Sequence, residues 1–498
     1  MVKITSGAIV PIKAMQTAVA ARVSATIRAT GRRYLSSRRL EHAMANLSSS
    51  VGDLASRFSG RLLMPGSAEW EAARRVHNGL VDKHPALIAQ CLGSADIAST
   101  VRFARERGLE IAVRAGGHNV GGKACCEGGV MIDLSLMKHV HVAPEQRAAR
   151  AAGGTLWGHF NRETQLHGLA TTGGVVSTTG VAGLTLGGGV GWLMPKHAMA
   201  LDNLESVEMV LADGNVMRAG AHENADLFWA VRGGGGNFGI ASSLEFRLHP
   251  VGPDVIGGLV AWPVDRAPDV LRLFRELAAK ANDDLMLVCA LITGPDATTK
   301  LVAIAAGYFG DAASGDKAVW PIKSLGQPVK DAMGPISYTA LNSMLDVSYP
   351  AGARNYWKAH FCESLTDEAI DTIVDAFMRC PSPMGQLLIE HFHGAASRIA
   401  PTETAFALRA DGFNVLVLSQ WMSPADDAVG TKWSRDAYAA IRSFGGPSRY
   451  LNYFDQDDTG DQALTAAYGP NLRRLQQVKA KYDPENVFHL NVNIPPKA

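Results

Sequence analysis

The spacing of apolar residues along this chain switches between a helical and a strand period, and the switches lay out its elements. Within residues 96–108, Ile97, Val101 and Ala104 share one helical face, and Gly108 stops the run. Residues 111–113 then read as a short buried strand, which puts the glycines that follow at a strand end. Residues 130–134 predict the next strand, and residues 207–211 ahead of Asp213-Gly214 predict a strand with a hairpin turn. Helices and strands do not alternate strictly here. No G-x-G-x-x-G motif opens a βαβ unit, which argues against a Rossmann fold. Pro250 and Pro253 mark a boundary. Beyond it, helices predicted at 269–281, 366–378 and 433–443 alternate with strands at 285–292, 301–308, 386–393 and 414–420, the pattern of a sheet backed by helices.

Composition narrows the classes. A chain of 498 residues holds about two to four domains with ample core. A hydrophobic content of 47%, a charged content of 19% and a net charge of +1 give no global case for binding nucleic acid or an anionic membrane. No apolar run reaches the roughly eighteen residues of a transmembrane helix. The cysteines Cys91, Cys125, Cys126, Cys289, Cys362 and Cys380 lack CxxC spacing, so neither a disulfide framework nor a structural metal is expected. The adjacent Cys125 and Cys126 read as small residues at a loop end. Residues 1–40 are rich in Arg, Ser and Ala and carry no acid, the composition of an organellar transit peptide. A disordered extension, or an upstream start codon, fits the same stretch. Arg32-Arg33 is followed by no apolar export segment. Residues 1–50 are therefore set aside from the fold. A cytoplasmic location is expected, with organellar or exported alternatives open.

The chemistry gathers in glycine-rich stretches. They are Arg114-Ala115-Gly116-Gly117-His118-Asn119, then Gly187-Gly188-Gly189-Val190-Gly191-Trp192, then Gly233-Gly234-Gly235-Gly236-Asn237-Phe238-Gly239. Asp202-Asn203 and a C-terminal Asn491-Val492-Asn493-Ile494 accompany them. Backbone that approaches a ligand closely uses glycine, and successive bare N–H groups suit phosphate oxygens. The set implies a large phosphate-bearing cofactor with a histidine beside it. With Tyr450-Leu451-Asn452-Tyr453 and Tyr482-Asp483-Pro484-Glu485-Asn486-Val487-Phe488, these stretches resemble the FAD-linked oxidases of the berberine-bridge-enzyme type. That family lies in the vanillyl-alcohol-oxidase, or PCMH-type, superfamily. The likeness runs from about Arg57 to the end.

The resemblance implies an α+β, two-domain PCMH-type FAD-binding fold. An FAD-binding domain would span 57–250 and a helix-backed antiparallel-sheet substrate domain 254–444, with 445–498 returning to the first. That return would explain why Asn491 and Asn493 lie so far from the glycine loops. The resemblance assigns FAD binding to Arg114, Ala115, Gly116, Gly117, His118 and Asn119. To these it adds Gly174, Thr178, Thr179, Gly180, Gly183, Gly187, Gly188, Gly189, Gly191, Asn203, Gly239, Ile240, Tyr450, Asn491 and Asn493. It makes His118 the covalent anchor of the flavin 8α carbon. Many relatives carry a second tether through a cysteine where this chain has Val176, so attachment through His118 alone is expected. Thr179 falls where relatives carry an apolar residue associated with oxygen access, and it fits equally well as a threonine bonding loop backbone.

Tyr450 is the candidate base and Gln420 and His391 are candidate pocket groups. A tyrosine with a pKa near ~10 needs help to act as a base at neutral pH; Arg409 and Arg449 are candidates to supply it. His391 and His393 share a strand face, but no third ligand suggests a metal. The implied reaction takes hydride from a CH–OH or CH–NH group to flavin N5, with dioxygen as acceptor. The implied partners are a small-molecule substrate and dioxygen, without nucleic acid or membrane; the oligomeric state is open. A dehydrogenase using another acceptor, and a flavoprotein that sequesters a metabolite, are the alternatives.

Overall fold

The computed structural model describes residues 51–497; the expectations for residues 1–50 lie outside them. The chain folds as a mixed α+β structure with a cofactor-side part built from two small sheets and a second part built on one large sheet. In the first sheet, Leu87–Gln90, Val130–Asp133 and Ile111–Arg114 run parallel, with Arg61–Leu63 antiparallel at one edge. The helix Ser94–Glu106 makes the crossover and buries Ile97, Val101 and Ala104. Gly108 takes a left-handed φ of 60° as the chain leaves the helix. The second sheet is antiparallel, ordered Val140–Ala143, Ala148–Ala152, Ile240–Arg247, Leu204–Val210, Val216–Gly220. Its last pair is the hairpin predicted around Asp213-Gly214.

The large sheet is antiparallel and centred on Asp254–Pro263, Lys300–Tyr308, Leu285–Thr293, Gln386–Phe392, Gly412–Trp421 and Arg354–Cys362. Side-chain alternation gives it two apolar faces. Leu387, Ile389, Val415 and Val417 pack beneath the helices Ala267–Ala278, Ala312–Ser324, Asp367–Met378 and Asp427–Ile441. Leu388, Leu416 and Leu418 face the other way and share a core with Val176, Val190, Trp192 and Met199 of the cofactor side. Each fully buried side chain of this kind contributes roughly 1.5–3 kcal/mol. Among the elements that escape the pattern reading are Asp254–Pro263, Ala312–Ser324 and Arg354–Cys362. Gly257-Gly258, Pro321 and the polar Asn355, Lys358 and His360 interrupt their periods.

The C-terminal stretch packs on the cofactor side. Leu475, Val478 and Ile494 join Leu227, Phe228 and Val231 in one core. Asn491 Nδ2 donates to the Gly236 carbonyl at 3.1 Å, and the Ile494 amide donates to Asn237 Oδ1 at 3.1 Å.

Candidate active site

A cavity of about 300 Å³ opens between the two parts. Its cofactor-side wall starts at the end of the strand Ile111–Arg114, where the chain turns through Ala115, Gly116, Gly117, His118 and Asn119, all lining it. Arg114 lends the loop stability instead of facing the cavity. Its guanidinium holds Asp133 through two bonds at 2.9 and 2.5 Å and donates to the Ala73 carbonyl at 2.7 Å. Gly116 lies against Gly180 so closely that a Cβ would come within 2.5 Å of the Gly180 nitrogen. Gly174, Thr179, Gly180, Gly183, Gly239, Ile240 and Asn491 line the same space. His118 stacks on His77 with centroids 3.9 Å apart, and its Nε2 lies 3.4 Å from Thr178 Oγ1. Burial first, and His77 second, lower the His118 pKa to about 3, so the imidazole is neutral.

The second glycine stretch packs tightly against protein, while its Val190 lines the cavity. Gly187, Gly188, Gly189 and Gly191 do not line the cavity. A Cβ on Gly187 would meet Asn452, one on Gly188 would come within 2.6 Å of the Tyr450 ring, and one on Gly191 would enter the Gly173 carbonyl. Gly188 and Gly189 take φ of 144° and 103°, where a side chain is strained. These glycines serve protein packing. Asn203 likewise knits a turn, donating to the His197 and Met199 carbonyls at 2.7 and 2.9 Å. Asn493 lies outside the lining too.

Tyr450 is turned into this glycine stretch. Its hydroxyl oxygen accepts from the Gly189 amide at 2.8 Å, the Val190 amide at 3.4 Å and Asn452 Nδ2 at 2.7 Å. Burial raises its pKa to about 12 against these bonds. Neither expected arginine assists it: Arg409 is bound to Asp202 and Arg449 to Asp458. His391 points away from the cavity. It belongs to the helix-side face of Gln386–Phe392, stacked on His393 at 3.9 Å and Phe413 at 5.4 Å. Gln420 has the cavity-side parity, yet it donates to Asn355 Oδ1 at 3.0 Å and stays behind the wall. Among the described residues no group of three His, Cys, Asp or Glu could hold a metal.

The parity that turns His391 away brings in its neighbour. Glu390 lines the cavity from the sheet, 1% exposed. Its Oε1 accepts from the Tyr453 hydroxyl at 2.9 Å and its Oε2 from Asn414 Nδ2 at 2.9 Å. Burial raises the Glu390 pKa to about 7, against the pull of those two bonds. Burial, and then the Glu390 charge, hold the Tyr453 hydroxyl well above its ordinary range. A carboxyl inside a strand with an apolar run, Leu387-Leu388-Ile389, was the available signal, because a charge is seldom buried without a task. Trp357, Tyr349, Leu388, Leu416 and Leu418 complete this end.

Comparison with known proteins decides the family. Residues 85–220 match the profile described as FAD binding domain, and residues 449–495 match the one described as berberine and berberine like. The chain is 30% identical over 456 residues to (R)-6-hydroxynicotine oxidase of Paenarthrobacter nicotinovorans, covering 88% of this chain and 97% of that protein. This protein belongs to the berberine-bridge-enzyme-like FAD-linked oxidoreductases. The flavoenzyme is also 30% identical to glucooligosaccharide oxidase of Sarocladium strictum, over 87% of this chain and 91% of the relative. Its fold superposes on the crystal structure of 6-hydroxy-D-nicotine oxidase from Arthrobacter nicotinovorans with a TM-score of 0.79 at 29% identity, over 88% of this chain and 98% of that one.

The cavity fits the family's cofactor on structural grounds. The amides of Gly116, Gly117 and Asn119 find no acceptor among the described residues, and Gly183 has open space where a Cβ would stand. The flavoenzyme therefore offers bare amide donors and side-chain-free surface along one wall, and a neutral histidine at its end.

Proposed function

We propose that the flavoenzyme oxidises a CH–OH or CH–NH group of a small organic molecule, with FAD attached through His118 alone and dioxygen as electron acceptor. The Glu390–Tyr453 pair carries this reading. It sets a carboxyl poised near neutrality and a phenol on the wall of the cavity that His118 also lines. Bound FAD supplies the hydride acceptor and passes electrons on. The protein's share is the proton. Losing hydride from carbon builds positive charge on the attached oxygen or nitrogen unless its proton leaves as well. That proton moves to the Tyr453 oxygen while Tyr453 passes its own to Glu390 Oε1, so no free phenolate is needed. Tyr450 holds the glycine stretch in place. Val176 lines the cavity and none of the cysteines does, which supports a single tether. Relatives named for a hydroxynicotine and for a glucooligosaccharide support both bond types.

The test is anaerobic mixing with candidate alcohols, amines and sugars, followed by air. Flavin reduction with peroxide release upon oxygenation is the expected result. Reoxidation by an artificial acceptor but not by oxygen would replace the oxidase with a dehydrogenase. A flavin that binds ligands and is never reduced would leave a sequestering protein.

A further inference from the structure

The ring of His118 has a companion behind it. His77 stacks on it with centroids 3.9 Å apart and ring planes inclined by 21°. His118 lines the cavity and His77 does not, so His77 backs the anchor from outside the cavity. Stacking is the contact this side chain makes. Its Nε2 is buried and has no hydrogen-bond partner among the described residues. A buried nitrogen without a partner is a cost, and a ring held at that cost is held for its face.

The backbone pins His77 from both parts of the molecule. Its amide donates to the Gly117 carbonyl at 3.0 Å, one residue before the anchor, and its carbonyl accepts from the Gly352 amide at 2.9 Å. Just before it, Arg114 Nη1 donates to the Arg75 carbonyl at 3.0 Å. Just after it, Asn78 Nδ2 donates to the Val120 carbonyl at 2.7 Å and to the Asn355 carbonyl at 2.9 Å, while Asn78 Oδ1 accepts from the Asn355 amide at 2.8 Å. Residues 75–78 are thus tied both to the loop that carries His118 and to the strand Arg354–Cys362 of the large sheet. Thr178 Oγ1, 3.4 Å from His118 Nε2, is too distant to fix the ring plane by itself.

Attaching the flavin demands a fixed ring. The step joins a His118 nitrogen to the flavin 8α carbon. Nitrogen and carbon each give up a proton, and two electrons pass to the flavin and on to dioxygen, which takes up two protons and leaves as peroxide. A ring nitrogen forms that bond through a lone pair in the ring plane, so a ring free to turn about its side-chain bonds is seldom aimed at the carbon.

We propose that His77 is the positioning residue for flavin attachment: its ring fixes the plane of His118 so that a nitrogen lone pair faces the cavity. This rests on the reading of His118 as the flavin tether. It also makes attachment depend on both parts of the molecule, because Gly352 and Asn355 hold residues 77 and 78 from the large-sheet part.

The test separates a flat ring from mere bulk. Enzyme produced under riboflavin limitation is mixed in air with saturating FAD, which takes weaker binding out of the comparison. Covalent flavin is then counted on acid-precipitated pellets over time, and the melting point of each variant is recorded. His77→Ala and His77→Leu should slow attachment about tenfold or more; leucine fills the space without offering a flat face. His77→Phe keeps the stack and should stay within about threefold of the wild type. Attachment at the wild-type rate in His77→Ala or His77→Leu would overturn the proposal, as would His77→Phe no faster than His77→Leu. If His77→Ala folds poorly, the Leu and Phe variants decide. A wild type that releases its flavin in acid would remove the tether and this proposal together, leaving oxidation by bound FAD standing. Attachment that depends on the His77 ring, in an enzyme whose flavin no substrate reduces, would support the proposal and sink the oxidation reading. Equal attachment in wild type and His77→Leu, with substrate still reducing the flavin, would sink the proposal alone.

Discussion

Single residues divide here by which way a side chain faces. His118 is neutral and faces the cavity, so His118→Ala should release FAD on acid precipitation, where the wild type keeps it on the protein pellet. Flavin recovered on a cysteine-containing peptide would remove the single-tether reading. Glu390→Gln and Tyr453→Phe should slow flavin reduction by ~10²–10⁴-fold, about 3–5 kcal/mol of barrier. The pH sign follows from the raised Glu390 pKa. A proton acceptor works when ionised, so the wild-type rate should climb as pH rises through about 7 and then level off. In Glu390→Gln the profile should be flat. The same shift acts on stability in the opposite sense. A carboxyl whose folded pKa is raised stabilises the fold below its ordinary value and loses that contribution as pH rises through about 7. Melting temperatures of wild type and Glu390→Gln should therefore draw together below that pH, with the variant ahead at pH 8. Tyr450→Phe separates the two tyrosines. It strips the acceptor of the Gly189, Val190 and Asn452 donors and should cost about 1–3 kcal/mol of stability, while reduction keeps its pH profile. A flat profile in Tyr450→Phe, with Tyr453→Phe unaffected, would return the base to Tyr450.

Elements explain why glycines of similar appearance do different work. Gly183 sits in the helix Val181–Leu186 with open space where a Cβ would stand, and it lines the cavity. Gly183→Ala should fold at least as stably, since alanine favours a helix by up to ~1 kcal/mol, but the new methyl enters the cofactor's space. Lower flavin content with an unchanged or higher melting point is the expected pair of readings. Gly191→Ala places its methyl in the Gly173 carbonyl and should fail in folding itself, seen as loss of soluble protein. Both glycines were legible as a glycine-rich region, because composition marks where backbone comes close to something. What it comes close to is a matter of neighbours from distant sequence: Gly173 and Tyr450 for one stretch, the cavity for the other. Strand parity shows the same limit. The strand at 386–393 was readable from its apolar run, but a period of two has two phases, and packing against the helices chose Leu387, Ile389 and His391 for the far side.

At the scale of the whole molecule, the C-terminal return is secured by a buried charge. Lys479 Nζ donates to Asp483 Oδ2 at 2.6 Å, to the Asn237 carbonyl at 2.6 Å and to the Phe488 carbonyl at 3.0 Å. Both members of the ion pair are 0% exposed. Lys479→Met would strand Asp483 as an unpaired buried charge and release two carbonyls. A loss of about 3–5 kcal/mol in chemical denaturation is expected, with flavin content falling because the Gly233–Gly239 loop and Asn491 would lose their shared support. A loss below ~1 kcal/mol would show that the pair is not what ties the last segment down.

Local rules sufficed for part of this protein. Apolar periods located some of the helices and strands, Ser94–Glu106 and Gln386–Phe392 among them, Gly108 and Asp213-Gly214 punctuated them, and the ordered glycine motifs pointed to the FAD-linked family, because each depends on a residue and its near neighbours. The site needed the folded chain. Glu390 and Tyr453 are far apart in sequence and meet at 2.9 Å; Tyr450 and Tyr453 stand three residues apart, yet their hydroxyls serve different partners. Tertiary packing set the phase of each strand and the partner of each buried polar group, since burial and hydrogen bonding are satisfied by whatever the fold brings near.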